Sequence, residues 1–303
     1  MSVTNSPAYP IDDLSAQIDP WLSHMTWRPD FERWRQQRLH QEDYQDAPLT
    51  LLRQGLALTR RAALVDPTMP DPAWLSGLQL LDLGCGMGGF AVAATCRGAH
   101  VVALDYNVAY CQITYLRSQR YQLALPIAAA AGEAIPCASA SFDAITCWDV
   151  LEHVQSPERL LSELARVLRP QGVLVMTAIN RYAFRDPHYH LPLINWLPRT
   201  VAEMLIRLAG RQKRGAFRDR QRLSAMHYFT WPALQRLAHC VGLRLSDLDQ
   251  LRVARGDITP QRQRWRLIEA CLPASWQPAL RQRAYLIYRT AWQATWRVAL
   301  IKV

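Results

Sequence analysis

The chain has no run of about 18 uncharged apolar residues, the length a membrane-spanning helix needs, so no such helix is expected. Paired cysteines are missing too. The seven cysteines stand at 85, 96, 111, 137, 147, 240 and 271, none in a C-x-x-C pair. An odd count without a framework reads as reduced thiols in the cytoplasm. Met1-Ser2-Val3-Thr4-Asn5-Ser6-Pro7 lacks the basic-then-apolar order of a secretory leader. There are no internal repeats, no low-complexity tract and no recognisable RNA-binding module. What remains is an ordinary globular balance over 303 residues, 50% hydrophobic and 20% charged, enough for a full core.

Acidic residues are scarce in one part only. From Arg199 to Val303, 20 Lys and Arg stand against 6 Asp and Glu, a net of +14, while the first 198 positions carry −4. Two readings stay open: a face that meets phosphate, nucleic acid or lipid, or a plain solvated arginine-rich surface.

The chain divides into four stretches. Residues 1–75 are polar, rich in Trp and Arg and broken by prolines, with a helix expected at Leu49–Ala63; they read as an N-terminal helical cap. Residues 76–180 alternate short apolar runs (Leu78–Leu83, Val101–Asp105, Leu125–Ala130, Phe142–Trp148, Val173–Ile179) with helical stretches near 88–97, 107–120 and 156–168. That alternation predicts an α/β fold, a mostly parallel, doubly wound sheet covered on both faces. Residues 181–226 break the rhythm with Pro187, Pro192 and Pro198, an amphipathic Val201–Leu208 and the basic run Arg211-Gln212-Lys213-Arg214, and read as an inserted helical lid. Residues 227–303 are expected to complete the core with basic helices. Thr230-Trp231-Pro232 starts a helix, Leu243–Leu251 suits a strand, 261–290 look helical, and Trp296–Val303 suits a strand or a helix.

The first of these strands runs into Gly84-Cys85-Gly86-Met87-Gly88-Gly89, followed by a helix. Glycines permit the tight turn and let a ligand approach the helix N-terminus. Gly84, Gly86 and Gly89 also satisfy G-x-G-x-x-G, so a dinucleotide-binding oxidoreductase is an alternative. Asp82 argues against pyrophosphate: a carboxylate there repels a phosphate but suits a ligand carrying an ammonium and a sulfonium. Asp82 could also bond the amides of its own loop.

The motifs become specific as a set. Leu80-Leu81-Asp82-Leu83-Gly84-Cys85-Gly86-Met87-Gly88 resembles the first motif of class I methyltransferases, and Val101-Val102-Ala103-Leu104-Asp105 is similar to their second. Ile135-Pro136, Ser141-Phe142-Asp143-Ala144-Ile145, Asp149-Val150-Leu151-Glu152-His153-Val154 and Leu168-Arg169-Pro170-Gln171-Gly172 follow in the family's order over residues 78–180. The nearest resemblance is to the ubiquinone-biosynthesis O-methyltransferases of the type 11 group. It implies a seven-stranded Rossmann-like sheet and S-adenosyl-L-methionine (SAM) as methyl donor. Asp82, Gly84, Cys85, Gly86, Gly88, Tyr106 and Asp149 would line the SAM site. Asp105 would hold the ribose diol, since a carboxylate can accept two hydrogen bonds. Where relatives often carry an Asp for the adenine amino group, this chain has Ala131, which leaves that role to backbone groups at Gly132 or to Glu133.

Methyl transfer can need a base. Asp149 falls at the carboxyl end of the fourth strand, and His188 and His190 follow the fifth, with imidazoles suited to proton transfer near neutral pH. Some relatives bind a divalent metal through an acidic-His run like Asp149-x-x-Glu152-His153; here Glu152 and His153 read as helix-packing residues, and no metal is expected. His227 reads as a loop residue before a helix. The expected acceptor is small or lipid-like, and methylation is expected on oxygen. The arginine-rich segments with Trp and Leu suit the anionic face of an inner membrane, so a cytoplasmic or peripheral location is expected. RNA is the weaker alternative, and a SAM-binding protein without catalysis the other.

Overall fold

In the computed structural model, which describes residues 7–22, 46–59, 74–212, 222–255 and 277–303, two helices precede the sheet: α1 (Ile11–Leu22) and α2 (Asp46–Leu56). Five strands and three helices follow. They are β1 (Gln79–Leu83), α3 (Gly89–Cys96), β2 (His100–Asp105), α4 (Val108–Arg120), β3 (Ile127–Ala129), β4 (Phe142–Cys147), α5 (Pro157–Val167) and β5 (Leu168–Ile179). A short 3₁₀ turn at Ile194–Trp196 and α6 (Arg199–Leu208) then interrupt the alternation. The rest is α7 (Trp231–Cys240), β6 (Leu243–Asp247), α8 (Leu248–Arg255), α9 (Gln277–Ala291) and β7 (Thr295–Lys302).

The seven strands form one sheet in the order β3-β2-β1-β4-β5-β7-β6. The first five are parallel, and β7 runs antiparallel between β5 and β6. Because side chains alternate across a strand, each buried strand feeds two cores. Leu80, Val101, Ala144, Val175 and Ala299 face α2, α3 and α8. Leu81, Leu104, Ile145, Leu174, Met176 and Leu300 face α5 and α7. α1 adds a smaller cluster: Leu14, Ile18 and Leu22, at i, i+4 and i+8, pack on Ile113 and on Met87 of the glycine loop.

Several motif residues prove to be structural pins. Asp143 accepts from Gln79 N at 3.0 Å and from Arg169 Nη1 at 2.9 Å, tying β1 to the start of β5. Glu163 and Arg166 of α5 form a two-bond fork, 2.7 and 2.8 Å, and clamp Ile135 through its N–H and its carbonyl. Asn180 is buried and donates its amide to the carbonyls of Arg289, Thr290 and Gln293.

The predicted boundaries shift where capping intervenes. The strand expected over Leu243–Leu251 stops at Asp247, whose Oδ1 accepts from Asp249 N and Gln250 N at 3.0 Å each and starts α8. The C-terminal segment is the strand, not the helix. The expected helix 49–63 is described to Leu56, and the part of 261–290 before residue 277 lies outside the described residues.

Gly55 near the end of α2 lies against the sheet, where an added Cβ would meet Val175 Cγ2 at 2.5 Å. Alanine normally gains about 1 kcal/mol over glycine in a helix, but overpacking a core costs about 1–3 kcal/mol. Gly55→Ala is therefore expected to lower the urea midpoint by circular dichroism. A raised midpoint would show that the sheet yields there.

Candidate active site at the carboxyl edge of the sheet

Strand order reverses between β1 and β4, and open α/β sheets bind ligands at the carboxyl ends beside such a switch point. The glycine loop leaves β1 there. Gly84 has φ +76°, and a Cβ on it would strike Val150, so both its backbone angle and its surroundings demand glycine. Gly86, at φ +55°, has nothing within 4 Å of a would-be Cβ and keeps that side of the loop open. Gly88 precedes α3 in the left-handed conformation. Cys85 is buried, and burial pushes its thiol up, so it is a packing thiol and not a nucleophile.

Asp105, at the end of β2, is buried and accepts from Gly86 N at 2.9 Å through Oδ2 and from Asn107 N at 2.8 Å through Oδ1. The carboxylate thus ties the two loops together and keeps further lone pairs on both oxygens. Burial raises its pKa, against these two amide bonds. Tyr106, the next residue, is exposed.

Asp82 does not bond its own loop. It pairs in register with Thr146 of β4 and accepts from that hydroxyl at 2.8 Å through Oδ1, while Oδ2 is buried with no hydrogen-bond partner among the described residues. Burial above all pushes it up to about 7, with Thr146 opposing and Asp105 adding to the rise. A buried carboxyl with a free oxygen at a switch point fits a ligand that brings a cation or a donor.

Beyond β4, Asp149 sits at φ +53°, held by a bond from its N–H to Thr177 Oγ1 at 2.7 Å and by one from that hydroxyl to its Oδ1 at 3.1 Å. Glu152 follows, 1% exposed, with both carboxylate oxygens lacking a hydrogen-bond partner among the described residues. His188 Nε2 lies 3.6 Å and His153 Nε2 3.8 Å from its Oε1, and the two imidazoles meet edge to face at 5.2 Å. One ligand atom from each of the three lies within 4.8 Å of the others, so the cluster could hold a metal ion. Burial raises the Glu152 carboxyl, but the two histidines outweigh it and hold it below its ordinary value.

The other residues singled out in the sequence are not members of this three-residue cluster. His190 is exposed at φ +57° and is not part of the cluster. Glu133 is engaged, its Oε1 accepting from Gln155 N at 2.7 Å. Gly132 is buried where a Cβ would meet Leu160 Cδ1 at 2.6 Å. His227 joins Glu152 through its backbone, N–H to carbonyl at 2.9 Å. Thr146 and Thr177 were not anticipated, since each acts through strand register that no local pattern displays.

A glycine loop, two buried acids and a third acid thus meet at the carboxyl edge of one α/β sheet, beside its switch point. Residues 81–176 match the family described as "Methyltransferase domain". The ubiquinone biosynthesis O-methyltransferase of Hahella chejuensis is 36% identical over 112 residues, 37% of this chain and 47% of that protein. That of Brucella ovis is 29% identical over 140 residues, 44% of this chain and 54% of that protein. The chain thus spans about half the length of these curated relatives. The crystal structure of a putative sarcosine dimethylglycine methyltransferase from Galdieria sulphuraria shares the fold, with a TM-score of 0.50 at 16% identity over 96% of this chain and 98% of that one.

Glu152 has a pH signature. Its folded pKa lies below the ordinary 4.5, so its pairing stabilises the protein fully above that value and is lost as the pH falls through the folded pKa. The unfolding free-energy gap between wild type and Glu152→Gln should be largest at neutral pH and narrow below 4.5. A gap that widens in acid would show that the histidines do not hold it.

Proposed function

We propose that the chain is a SAM-dependent methyltransferase that methylates an oxygen of a small or lipid-like acceptor. The observation that carries the reading is the pair of buried acids: Asp82 offers a free carboxylate oxygen at the switch point, and Asp105 keeps lone pairs for a diol. Asp82 would face the cationic amino-acid end of SAM, the backbone around Gly84–Gly88 would line its middle, and Asp105 would hold its ribose. SAM supplies an electrophilic methyl group on a sulfonium. Oxygen as the acceptor atom is supported by the names of the relatives, which are O-methyltransferases.

Asp149 would border both ligands. His188 is the base: Glu152, 3.6 Å away, would stabilise the imidazolium formed when His188 takes the acceptor's hydroxyl proton. The acceptor oxygen, freed of its proton by His188, would then be the nucleophile for the methyl group that bound SAM would supply. His190 is not assigned a role.

Three outcomes test the reading. Asp105→Ala should weaken SAM binding in calorimetry by a few kcal/mol, since charge-assisted hydrogen bonds contribute about 1.5–3 each; an unchanged affinity in a folded variant removes the ribose assignment. His188→Gln should lower kcat by about 10²–10⁴ with SAM affinity intact. No resident metal is proposed, because the two histidines already compensate Glu152, so EDTA should leave the rate unchanged. A loss that Mg²⁺ or Zn²⁺ restores would instead make Glu152, His153 and His188 a metal centre.

A lipid-like acceptor is supported by α6. Its inner residues Ala202 and Ile206 are buried, while Val201, Met204, Leu205 and Leu208 leave an exposed apolar row flanked by Arg207 and Arg211. Such a face suits the surface of an anionic bilayer. No helix among the described residues is long and apolar enough to cross a membrane. Part of the C-terminal positive charge is used internally: Arg289 pairs with Asp247, Arg297 with Asp249, and Lys302 Nζ donates to the carbonyls of Ala165 and Leu168. Lys213 and Arg214 lie outside the described residues. The protein should sediment with phosphatidylglycerol-containing vesicles at low salt and release as ionic strength rises. Leu208→Asp should reduce that binding with SAM affinity unchanged, and no sedimentation at any salt would remove the membrane part of the reading.

A further inference from the structure

Two arginines at the same edge each keep one buried nitrogen, Nη1, without a hydrogen-bond partner among the described residues. Arg181 stands two residues beyond β5; its N–H donates to Phe229 O at 2.7 Å, in the segment that returns toward α7, and its guanidinium carbon lies 5.9 Å from the centre of the Tyr182 ring. Arg199 opens α6, and its guanidinium carbon lies 4.8 Å from the centre of the Tyr228 ring. The other neighbour of that ring is His188, stacked at 6.3 Å, so the arginine and the proposed base share one aromatic wall.

Both guanidinium groups are short of acceptors. In each, Nη1 is buried with no hydrogen-bond partner among the described residues, while the side chain as a whole stays partly exposed. The carboxylates nearby are committed elsewhere. Asp186 accepts from Tyr228 Oη at 2.9 Å and from the N–H groups of His188 and Tyr189 at 2.9 and 2.7 Å. Glu203 accepts from Ser224 N and Oγ. Burial, and next the charge of Arg181, lower the pKa of Arg199, and the opposing pull of Tyr228, Asp186 and Glu203 does not make up the difference. Keeping such a pair half-buried is costly unless an anion completes it.

We propose that Arg181 and Arg199 form an oxyanion subsite in the acceptor pocket, so that the acceptor carries a phosphate or carboxylate group as well as the oxygen that is methylated. The inference rests on the methyltransferase reading for the word acceptor, but the subsite itself does not. Guanidinium forks suit both oxyanions, because each presents paired oxygens to paired N–H donors. Tyr228, between Arg199 and His188, would set the spacing from the anionic group to the hydroxyl that loses its proton.

The test is calorimetric titration of the full chain with inorganic phosphate and, separately, with benzoate, against sodium chloride at matched ionic strength. At least one of the two should bind saturably, and the tighter one names the group. Arg181→Gln and Arg199→Gln should each weaken that binding tenfold or more, and Arg199→Lys should retain part of it. Circular dichroism checks that each variant is folded, and Arg199→Lys serves as the reporter should the glutamine variant unfold. No saturable binding of either anion, or binding that persists in the double glutamine variant, overturns the proposal. SAM titrated into the same samples separates the two readings. SAM binding without anion binding removes only the subsite, and anion binding through the arginines without SAM binding removes only the methyltransferase.

Discussion

Desolvation of carboxyl groups at one end of the sheet is the constraint on which the rest of the site depends. Asp82 and Glu152 are each 1% exposed, and neither has its oxygens fully satisfied by the described protein. The two are compensated differently. Glu152 has two imidazoles and is held in its charged form; Asp82 has one hydroxyl and is pushed toward its neutral form near pH 7. At about 1.4 kcal/mol per pKa unit, the rise of Asp82 from 3.8 to about 7 corresponds to about 4 kcal/mol of uncompensated burial at high pH. A cationic ligand recovers that energy, and a pyrophosphate would add to it.

The scaffold keeps those acids in place by spending other polar residues on itself. Asp143, Arg169, Glu163, Arg166 and Asn180 all belong to the motif-bearing region, and each is committed to strand ends, loops or helix termini. The same economy governs the basic half of the chain, where Arg289 ties α9 to the end of β6, Arg297 ties β7 to α8, and Lys302 ties β7 to α5. The surplus charge of that half is therefore partly structural. Among the described residues of that half, Arg199 stands at the carboxyl edge of the sheet, and Arg207 and Arg211 stand beside the apolar row of α6.

Strands β1, β2 and β4 were legible because each is a largely buried run of five or six residues that ends at or near a glycine or an acid; β3, with three largely exposed residues, and β5, with twelve, carry a weaker signal. The glycine loop and Asp105 were legible from spacing. The partners of Asp82 and Asp149 were not, because Thr146 and Thr177 reach them through the β1–β4 and β4–β5 register, which joins residues 64 and 28 positions apart. Glu152 and His153 look like helix-packing residues in isolation; the role of the cluster emerges only when the loop after β5 brings in His188. Glu133 fits an adenine contact by position, and its bond to the backbone amide of Gln155, through Oε1, was not legible in the sequence. His190 shares with His188 every local signal, and only the turn, closed by the His190 N–H on Asp186 O at 2.9 Å, separates their fates.

The claim on which everything else rests is that the glycine loop takes a ligand carrying positive charge and not a dinucleotide. Parallel calorimetric titrations of the wild-type chain with SAM and with NAD⁺ test it directly. The account predicts saturable one-to-one binding of SAM, tightening as the pH rises through about 7 and Asp82 loses its proton, with no binding of NAD⁺. Binding of NAD⁺ in the absence of SAM binding would contradict it.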